Sequence, residues 1–174
     1  AYTYFTLKHV LQIAKILSKK EDKTLIKIKK YCEGAKLAYQ ELVTKKKFSL
    51  DTDRQAKLVR PLYMGLLTKE QEEFAKKRLL QAMENYHWRL GTGFLSTPFI
   101  LNVLADLNAE YAYKLLENEE CPGWLFMPKN GATTIWESWE GNMTKDAGIA
   151  SLNHYSKGAL CEWLIGSMCG IKIG

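Results

Sequence analysis

The chain has 174 residues, of which 47% are hydrophobic and 25% charged, and it carries a formal net charge of +6 at pH 7. This length permits one domain with a sizeable core, and the composition is that of an ordinary globular protein. The basic excess comes mainly from lysines clustered at predicted helix ends and polar faces, whereas nucleic-acid readers favour arginine in one continuous stripe. We therefore expect no nucleic-acid partner.

The sequence also gives no indication of a membrane or metal protein. It opens with a helical period and not with a basic-then-apolar leader, and the apolar run 158–171 is interrupted by Glu162 and too short to span a bilayer. The four cysteines lack zinc-ligand spacing. Three of them, Cys32, Cys161 and Cys169, lie on predicted apolar helix stripes, where a free thiol acts as a small hydrophobe. We expect a soluble, reduced, cytoplasmic protein without metal or cofactor.

The N-terminal half predicts two antiparallel helical hairpins, because apolar residues recur at steps of three and four. The predicted helices are Thr3–Ser18, Lys23–Val43, Asp53–Leu67 and Lys69–Tyr86. The first has an apolar stripe wide enough to predict burial on two sides. Pro61 should kink or end the third helix. Thr68 and Gln71 form a capping-box pattern at the start of the fourth.

The C-terminal half predicts three further helices. Two glycines between His87 and Ser96 break the helical period, and Thr97 and Pro98 then form a good helix start. The predicted helices run from Pro98 to Leu107, from Asn108 to Glu119 and from Tyr155 to Gly170. Seven helices without strands that could pair into a sheet indicate the all-α class.

The segment 131–155 does not fit one helix. Its β-branched and aromatic residues at 133–136 favour an extended backbone, in which side chains alternate between two faces. Glu137 and Trp139 would then share one face, with Trp136 on the other. A carboxylate beside an indole suits a sugar, because aromatic rings pack on its C–H groups and hydroxyls need acceptors. The alternative is a surface hairpin with core tryptophans and solvated glutamates.

Three stretches of the chain have distinctive motifs. They are LGTGFLSTPFIL at 90–101, AYKLLENEECPGWLFM at 112–127, and GATTIWE at 131–137 followed by S-x-N-H-Y-x-x-G-x-x-x-E-W-L at 151–164. In their sequence and order they resemble the catalytic domain of bacterial α-L-rhamnosidases. They cover about the C-terminal half of the chain, and the N-terminal helices fit the family in pattern only. The resemblance implies an inverting glycosidase built on an (α/α)6 toroid of helical hairpins, acting on a rhamnose-containing oligosaccharide or glycoside.

The resemblance also implies roles for individual residues. Glu137 matches the general base that activates water, and His154 matches a histidine that binds rhamnose. A lone histidine is otherwise most often structural.

The walls of the implied pocket come from two loops. Thr92 and Phe94 lie on a loop that opens towards the sugar in this family, and Trp136 or Trp139 would form an apolar platform. On residue type alone, Thr92 would be a turn residue and Phe94 a core aromatic.

The chain is too short for the whole fold that it resembles. A toroid of six hairpins needs more helices than the seven predicted, and the general acid of the family lies N-terminal to the matched motifs. We therefore interpret residues 1–174 as the C-terminal portion of such a domain. Alone, it should be catalytically silent, and its bare apolar helix faces favour self-association.

Two other classes are compatible with the helical pattern. One is another (α/α)6 glycosidase or lyase acting on a different sugar. The other is a non-catalytic interaction module of helical repeats, which predicts a repeat period of about 34 to 47 residues that is not apparent here.

Overall fold

The structure of the chain is a computed structural model that describes residues 1–20, 22–141, 143 and 150–171. The α-helices are α1 (Tyr2–Ile16), α2 (Lys23–Thr44), α3 (Gln55–Met64), α4 (Lys69–Asn85), α5 (Thr97–Leu107), α6 (Ala109–Leu116), α7 (Phe126–Lys129) and α8 (Leu160–Trp163). A 3-10 turn (Tyr155–Ala159) precedes α8 and a π-helical turn (Leu164–Met168) follows it. The described ranges contain no strand, so the predicted all-α class is confirmed.

The six long helices pack as three antiparallel hairpins, of which the first two were predicted. Helix α1 packs on α2, α3 on α4, and α5 on α6. Helix α5 also contacts α3, α8 and the 3-10 turn, which places it at the centre. Its residues Ile100, Leu101 and Leu104 are buried in the main hydrophobic core. No helix among the described residues has the length and apolar character needed to cross a membrane.

The predicted capping box at the start of α4 is confirmed. The Thr68 hydroxyl accepts the Gln71 N–H at 3.2 Å, and the Thr68 N–H donates to the Gln71 side chain at 3.2 Å. The Gln71 amide also donates to the Gln40 carbonyl at 3.1 Å. The cap therefore ties the start of α4 to α2.

Helix α3 does not end at its proline. It continues through the buried Pro61 to Met64, and Gly65 then terminates it in the left-handed conformation at φ 69°. Glycine has no Cβ to oppose this conformation, so Gly65 sets the end of the helix.

The prediction that α1 is buried on two sides is wrong. None of its residues is buried, and Ile16 is 80% exposed. Among the described residues α1 packs chiefly on α2, with the Phe5 ring at its start reaching Tyr63 and Phe99. The second apolar stripe of α1 therefore faces outward.

The final helix is not the continuous helix that the periodicity predicts. In the π-helical turn the Cys169 N–H donates to the Leu164 carbonyl at 2.9 Å, five residues back. This wider winding rotates later side chains off the apolar stripe, so Met168 is exposed. Cys161 and Cys169 are also exposed, and only Cys32 of the three stripe cysteines is buried.

Candidate functional site

Two chain segments run side by side at the end of the helical array. The Glu137 N–H donates to the Ser151 carbonyl and the His154 N–H donates to the Ile135 carbonyl, each at 2.8 Å. The Thr134 hydroxyl also donates to the Leu152 carbonyl. This pairing brings the predicted base and the predicted sugar-binding histidine onto neighbouring segments.

The Glu137 carboxylate is held by the opposite segment. Its Oε2 atom accepts the Ser151 N–H at 2.8 Å, and the residue as a whole is half-buried. Within the described part of the chain, no hydrogen bond is donated to the other carboxylate oxygen. The Ser151 N–H thus fixes one oxygen of the carboxylate.

His154 caps the 3-10 turn that leads into α8. Its Nδ1 accepts the Ser156 N–H at 3.3 Å and lies 2.9 Å from the Ser156 hydroxyl. Because Nδ1 accepts a backbone N–H, a neutral imidazole carries its proton on Nε2. Nε2 is then the atom that can donate to a ligand oxygen.

Three rings form a stack around His154. The Phe94 and His154 ring centroids are 5.1 Å apart at 19°, and those of His154 and Tyr155 are 5.1 Å apart at 17°. Phe94 is 46% exposed and Tyr155 is 87% exposed, so the stack offers aromatic surface to solvent. Phe94 is therefore not a core aromatic. The sequence reasoning missed Tyr155, although its place directly after His154 was a signal.

The predicted alternation of faces around Glu137 stops at a turn. The Ser138 hydroxyl donates to the Gly141 carbonyl at 3.0 Å, and the Gly141 N–H donates to the Ser138 carbonyl at 3.3 Å. The turn directs Trp139 into the same core as Trp136, and the two are only 9% and 7% exposed. The prediction that they lie on opposite faces is wrong, because the extended stretch is too short.

Thr92 lies in the protein interior. Its hydroxyl is 2.9 Å from the Thr97 hydroxyl, and the residue is buried. Thr97 in turn donates to the Gly93 carbonyl at 3.0 Å. The hydroxyl of Thr92 therefore stabilises the loop that carries Phe94 to the ring stack.

Sequence reasoning also missed Lys157, which is 3% exposed. Its ammonium donates to the Glu137 carbonyl and lies 4.3 Å from the centroid of the Trp139 ring. Burial lowers the pKa of Lys157 to about 8, and the nearby Glu140 and Glu137 carboxylates oppose that shift. The place of this lysine directly before the mostly apolar run 158–171 was the available signal.

The described ranges hold no group of three or more His, Cys, Asp or Glu side chains suited to a metal ion.

The fold is an all-α domain of helical hairpins. Its segment 131–155 carries a carboxylate, an imidazole and aromatic rings. This combination defines a class, the helical sugar-processing enzymes. Residues 1–168 match the family described as bacterial α-L-rhamnosidase 6 hairpin glycosidase domain. The chain belongs to this family.

Individual relatives agree with the family match. The chain is 34% identical to an α-L-rhamnosidase of Formosa agariphila over 98% of its own length and 19% of the relative's. It is 36% identical to one of Streptomyces avermitilis over 70% of its length and 12% of the relative's. The chain thus spans about a fifth or less of the length of these relatives.

Solved structures resemble the fold of the whole chain. The crystal structure of Streptomyces avermitilis α-L-rhamnosidase complexed with L-rhamnose superposes with a TM-score of 0.84 at 29% identity, over 98% of this chain and 17% of that one. Native α-L-rhamnosidase from Aspergillus terreus gives a TM-score of 0.78 at 26% identity, over 94% and 19%.

Proposed function

We propose that this chain is the C-terminal portion of the catalytic domain of an inverting α-L-rhamnosidase and supplies its general base, Glu137. The observation that carries the proposal is the carboxylate held by the Ser151 N–H, on a segment whose backbone pairs with the segment that carries His154. The family match, and a relative whose structure contains L-rhamnose, support a terminal α-L-rhamnosyl unit as the substrate.

The proposed reaction is a single displacement by water at the anomeric carbon. The Glu137 carboxylate accepts a proton from the water as the water oxygen bonds to that carbon. The bond to the leaving oxygen breaks, and a carboxylic acid elsewhere in the full enzyme protonates that oxygen. In inverting glycosidases the two carboxyl groups lie about 6.5–9.5 Å apart, which leaves room for the water.

The remaining residues are assigned to sugar binding. The Nε2 of His154 donates to a ring hydroxyl, and the exposed Phe94 ring packs on sugar C–H groups. Trp136 and Trp139 support the pocket from the core side, and Thr92 stabilises the loop of Phe94. These assignments are supported by the positions of the rings around the Glu137 loop.

The assignment of Glu137 can be tested in a chimaera. This 174-residue segment replaces the matching segment of the Streptomyces avermitilis enzyme, and hydrolysis of an aryl α-L-rhamnoside is measured. Glu137→Gln should lower kcat by about 10²–10⁴-fold, the usual contribution of a general base. Glu117→Gln, at an exposed carboxylate that ends α6, is the matched control. An active chimaera whose rate is unchanged by Glu137→Gln would refute the assignment.

The stereochemistry and the sugar are tested in the same chimaera. Proton NMR of the first product should show the β-anomer of L-rhamnose, because one displacement inverts the α-linkage. A retained α-anomer would exclude the single-displacement scheme. A panel of aryl glycosides distinguishes rhamnose from other sugars, and faster hydrolysis of another sugar would point to a different (α/α)6 glycosidase.

The chain alone should be inactive, because its proposed acid partner lies outside it. Turnover of an aryl α-L-rhamnoside by the isolated 174 residues, abolished by Glu137→Gln, would contradict this expectation and would still support the base.

A further inference from the structure

Lys157 is a buried cation that the proposed reaction does not use. Its ammonium contacts the backbone carbonyl of Glu137, the residue proposed as the base, and not a surface carboxylate. Removing an ammonium from water is costly, so a buried lysine needs a specific set of partners. The structure provides such a set.

The partners of Lys157 come from three parts of the chain. The Trp139 ring lies 4.3 Å from Nζ and the Phe94 ring 5.9 Å, both within the range of cation–π attraction. The Lys157 carbonyl accepts the Trp124 indole N–H at 3.0 Å, and that bond is buried. The lysine is therefore anchored at its backbone, and its side chain extends to the loop of the base.

Glu137 is thereby held at three points. Its N–H donates to the Ser151 carbonyl, its Oε2 accepts the Ser151 N–H, and its own carbonyl accepts from the Lys157 ammonium. Ser151 contacts the N–H and the carboxylate of Glu137, whereas Lys157 contacts its carbonyl, which belongs to the peptide group between Glu137 and Ser138. Lys157 therefore restrains the plane of that peptide group.

We propose that Lys157 is a positioning residue that orients the general base by holding the Glu137 carbonyl and bracing the Trp139 ring behind it. This proposal rests on the proposed function of Glu137. A carboxylate must be oriented towards its water within a fraction of an ångström, and misplacement by about 1 Å can cost about 10²-fold in rate.

The charge of Lys157 makes the orientation sensitive to pH. The titratable groups facing the ammonium are Glu137 and Glu140 from the loop of the base and Cys121 from the preceding turn. Burial lowers the pKa of Lys157 to about 8, so the ammonium loses its proton as the pH rises through that value. The neutral amine has no charge to attract the Trp139 ring, and it holds the carbonyl more weakly.

The test uses the same active chimaera and compares four proteins. Lys157→Met keeps a side chain of similar length but removes the charge and the donor. Lys157→Arg keeps both, and its charge persists throughout the accessible pH range. Lys129→Met, at an exposed lysine paired with Glu119, is the control. Initial rates on an aryl α-L-rhamnoside are measured from pH 6 to pH 10.

The expected result has two parts. At pH 7, Lys157→Met lowers kcat by about 10- to 100-fold with little change in KM, and Lys157→Arg recovers part of that loss. The parent chimaera loses activity as the pH passes about 8. Neither Lys157 variant has this alkaline step, and Lys129→Met retains it.

A second measurement does not depend on catalysis. In the 174-residue chain the amide signal of Ser138 reports on the peptide group whose oxygen contacts Lys157. It should shift with a midpoint near pH 8 in the parent and show no such shift in Lys157→Arg. This measurement decides the matter if Lys157→Met does not fold.

The outcomes separate this proposal from the function on which it rests. If Glu137→Gln abolishes activity while Lys157→Met keeps the parental kcat and alkaline step, the role of Lys157 is refuted and the base stands. If Glu137→Gln has no effect, the proposed function fails first. A Ser138 signal in the parent that does not titrate between pH 7 and 9 also refutes the role of Lys157.

Discussion

The central hairpins and the N-terminal hairpin are built from similar apolar helices but are buried to different degrees. Helices α3 to α6 supply most of the core, including Leu58, Leu79 and Leu104, which are fully buried. In the α1–α2 hairpin, Cys32 alone is buried among the helical residues, and Ile13 and Ile16 face solvent. The two regions differ in burial because they differ in the elements that pack on their helices, and not because their apolar patterns differ.

This contrast shows that the amphipathic character of a helix and the burial of its apolar face are separate properties. An apolar stripe at steps of three and four establishes that a helix is amphipathic. Whether the stripe is buried depends on the elements that pack on it. Helix α5 is contacted by α3, α6 and α8, whereas α1 packs chiefly on α2. The contrast can be tested by substituting residues in both regions.

The largest effect on stability should come from the centre. Leu104→Ala removes buried methyl groups from α5 and leaves a cavity, which should lower the free energy of unfolding by about 2–5 kcal/mol. Ile16→Ala, at an exposed site on α1, should change it by less than about 0.5 kcal/mol. Urea denaturation of the 174-residue chain measures both. Equal losses would show that α1 is as well packed as α5.

A smaller difference between two variants is expected where the loop of the base meets the core. A Cβ on Gly141, which has φ 57°, would lie 2.5 Å from the Trp136 ring. At Gly131, with φ 82°, nothing lies within 4 Å of a Cβ. Both alanine variants pay a left-handed backbone cost of about 1–2 kcal/mol. Gly141→Ala should lose about 1–3 kcal/mol more through overpacking, measured by thermal unfolding.

Equal losses at the two glycines would mean that the Trp136 ring moves away freely. The ring would then not be a fixed part of the core under the loop.

The helices were predictable from the sequence, but their environment was predictable only in part. Periodicity located the six long helices, and the Thr68 and Gln71 pattern identified a real cap, because both features are local. The burial of α1 was mispredicted, because a stripe does not specify what covers it. The π-helical turn at 164–168 left no clear local signal, since the apolar period continued through it.

The candidate site was also predictable from the sequence only in part. The resemblance to the family assigned Glu137 and His154 to one site. In the structure, residues 135–137 pair with residues 151–154, which places the two residues on neighbouring segments. The direction of Trp139 depended on the turn that ends at Gly141, which alternation could not anticipate. Lys157 was missed because lysine is usually exposed, and its burial requires the carbonyl of Glu137 and the ring of Trp139.

Helix caps offer a more sensitive comparison of the two regions. Thr68 caps α4 in the compact part, and the Asp22 carboxylate accepts the Leu25 N–H at 2.8 Å at the start of α2. Thr68→Ala should lower the free energy of global unfolding by about 1 kcal/mol. Asp22→Ala removes a similar bond, but α2 can fray locally, so the global loss should be smaller.

Hydrogen exchange separates local from global loss. Asp22→Ala should speed exchange at the start of α2 and leave α5 protected. Faster exchange throughout α5 would show that the N-terminal hairpin unfolds together with the centre.

The smallest effect on stability should accompany a change in association. The exposed apolar residues of the α1–α2 hairpin, which include Ile13, Ile16, Ile26 and Leu37, favour contact between copies of the isolated chain. Ile13→Lys combined with Ile16→Lys should lower the weight-average mass in light scattering while changing unfolding by less than about 0.5 kcal/mol for each substitution. Thr3→Lys with Lys15→Ala alters exposed positions of α1 without removing apolar surface and should leave the mass unchanged. A monodisperse monomer for the parent chain would contradict the prediction, because the bare stripe would then be tolerated in water.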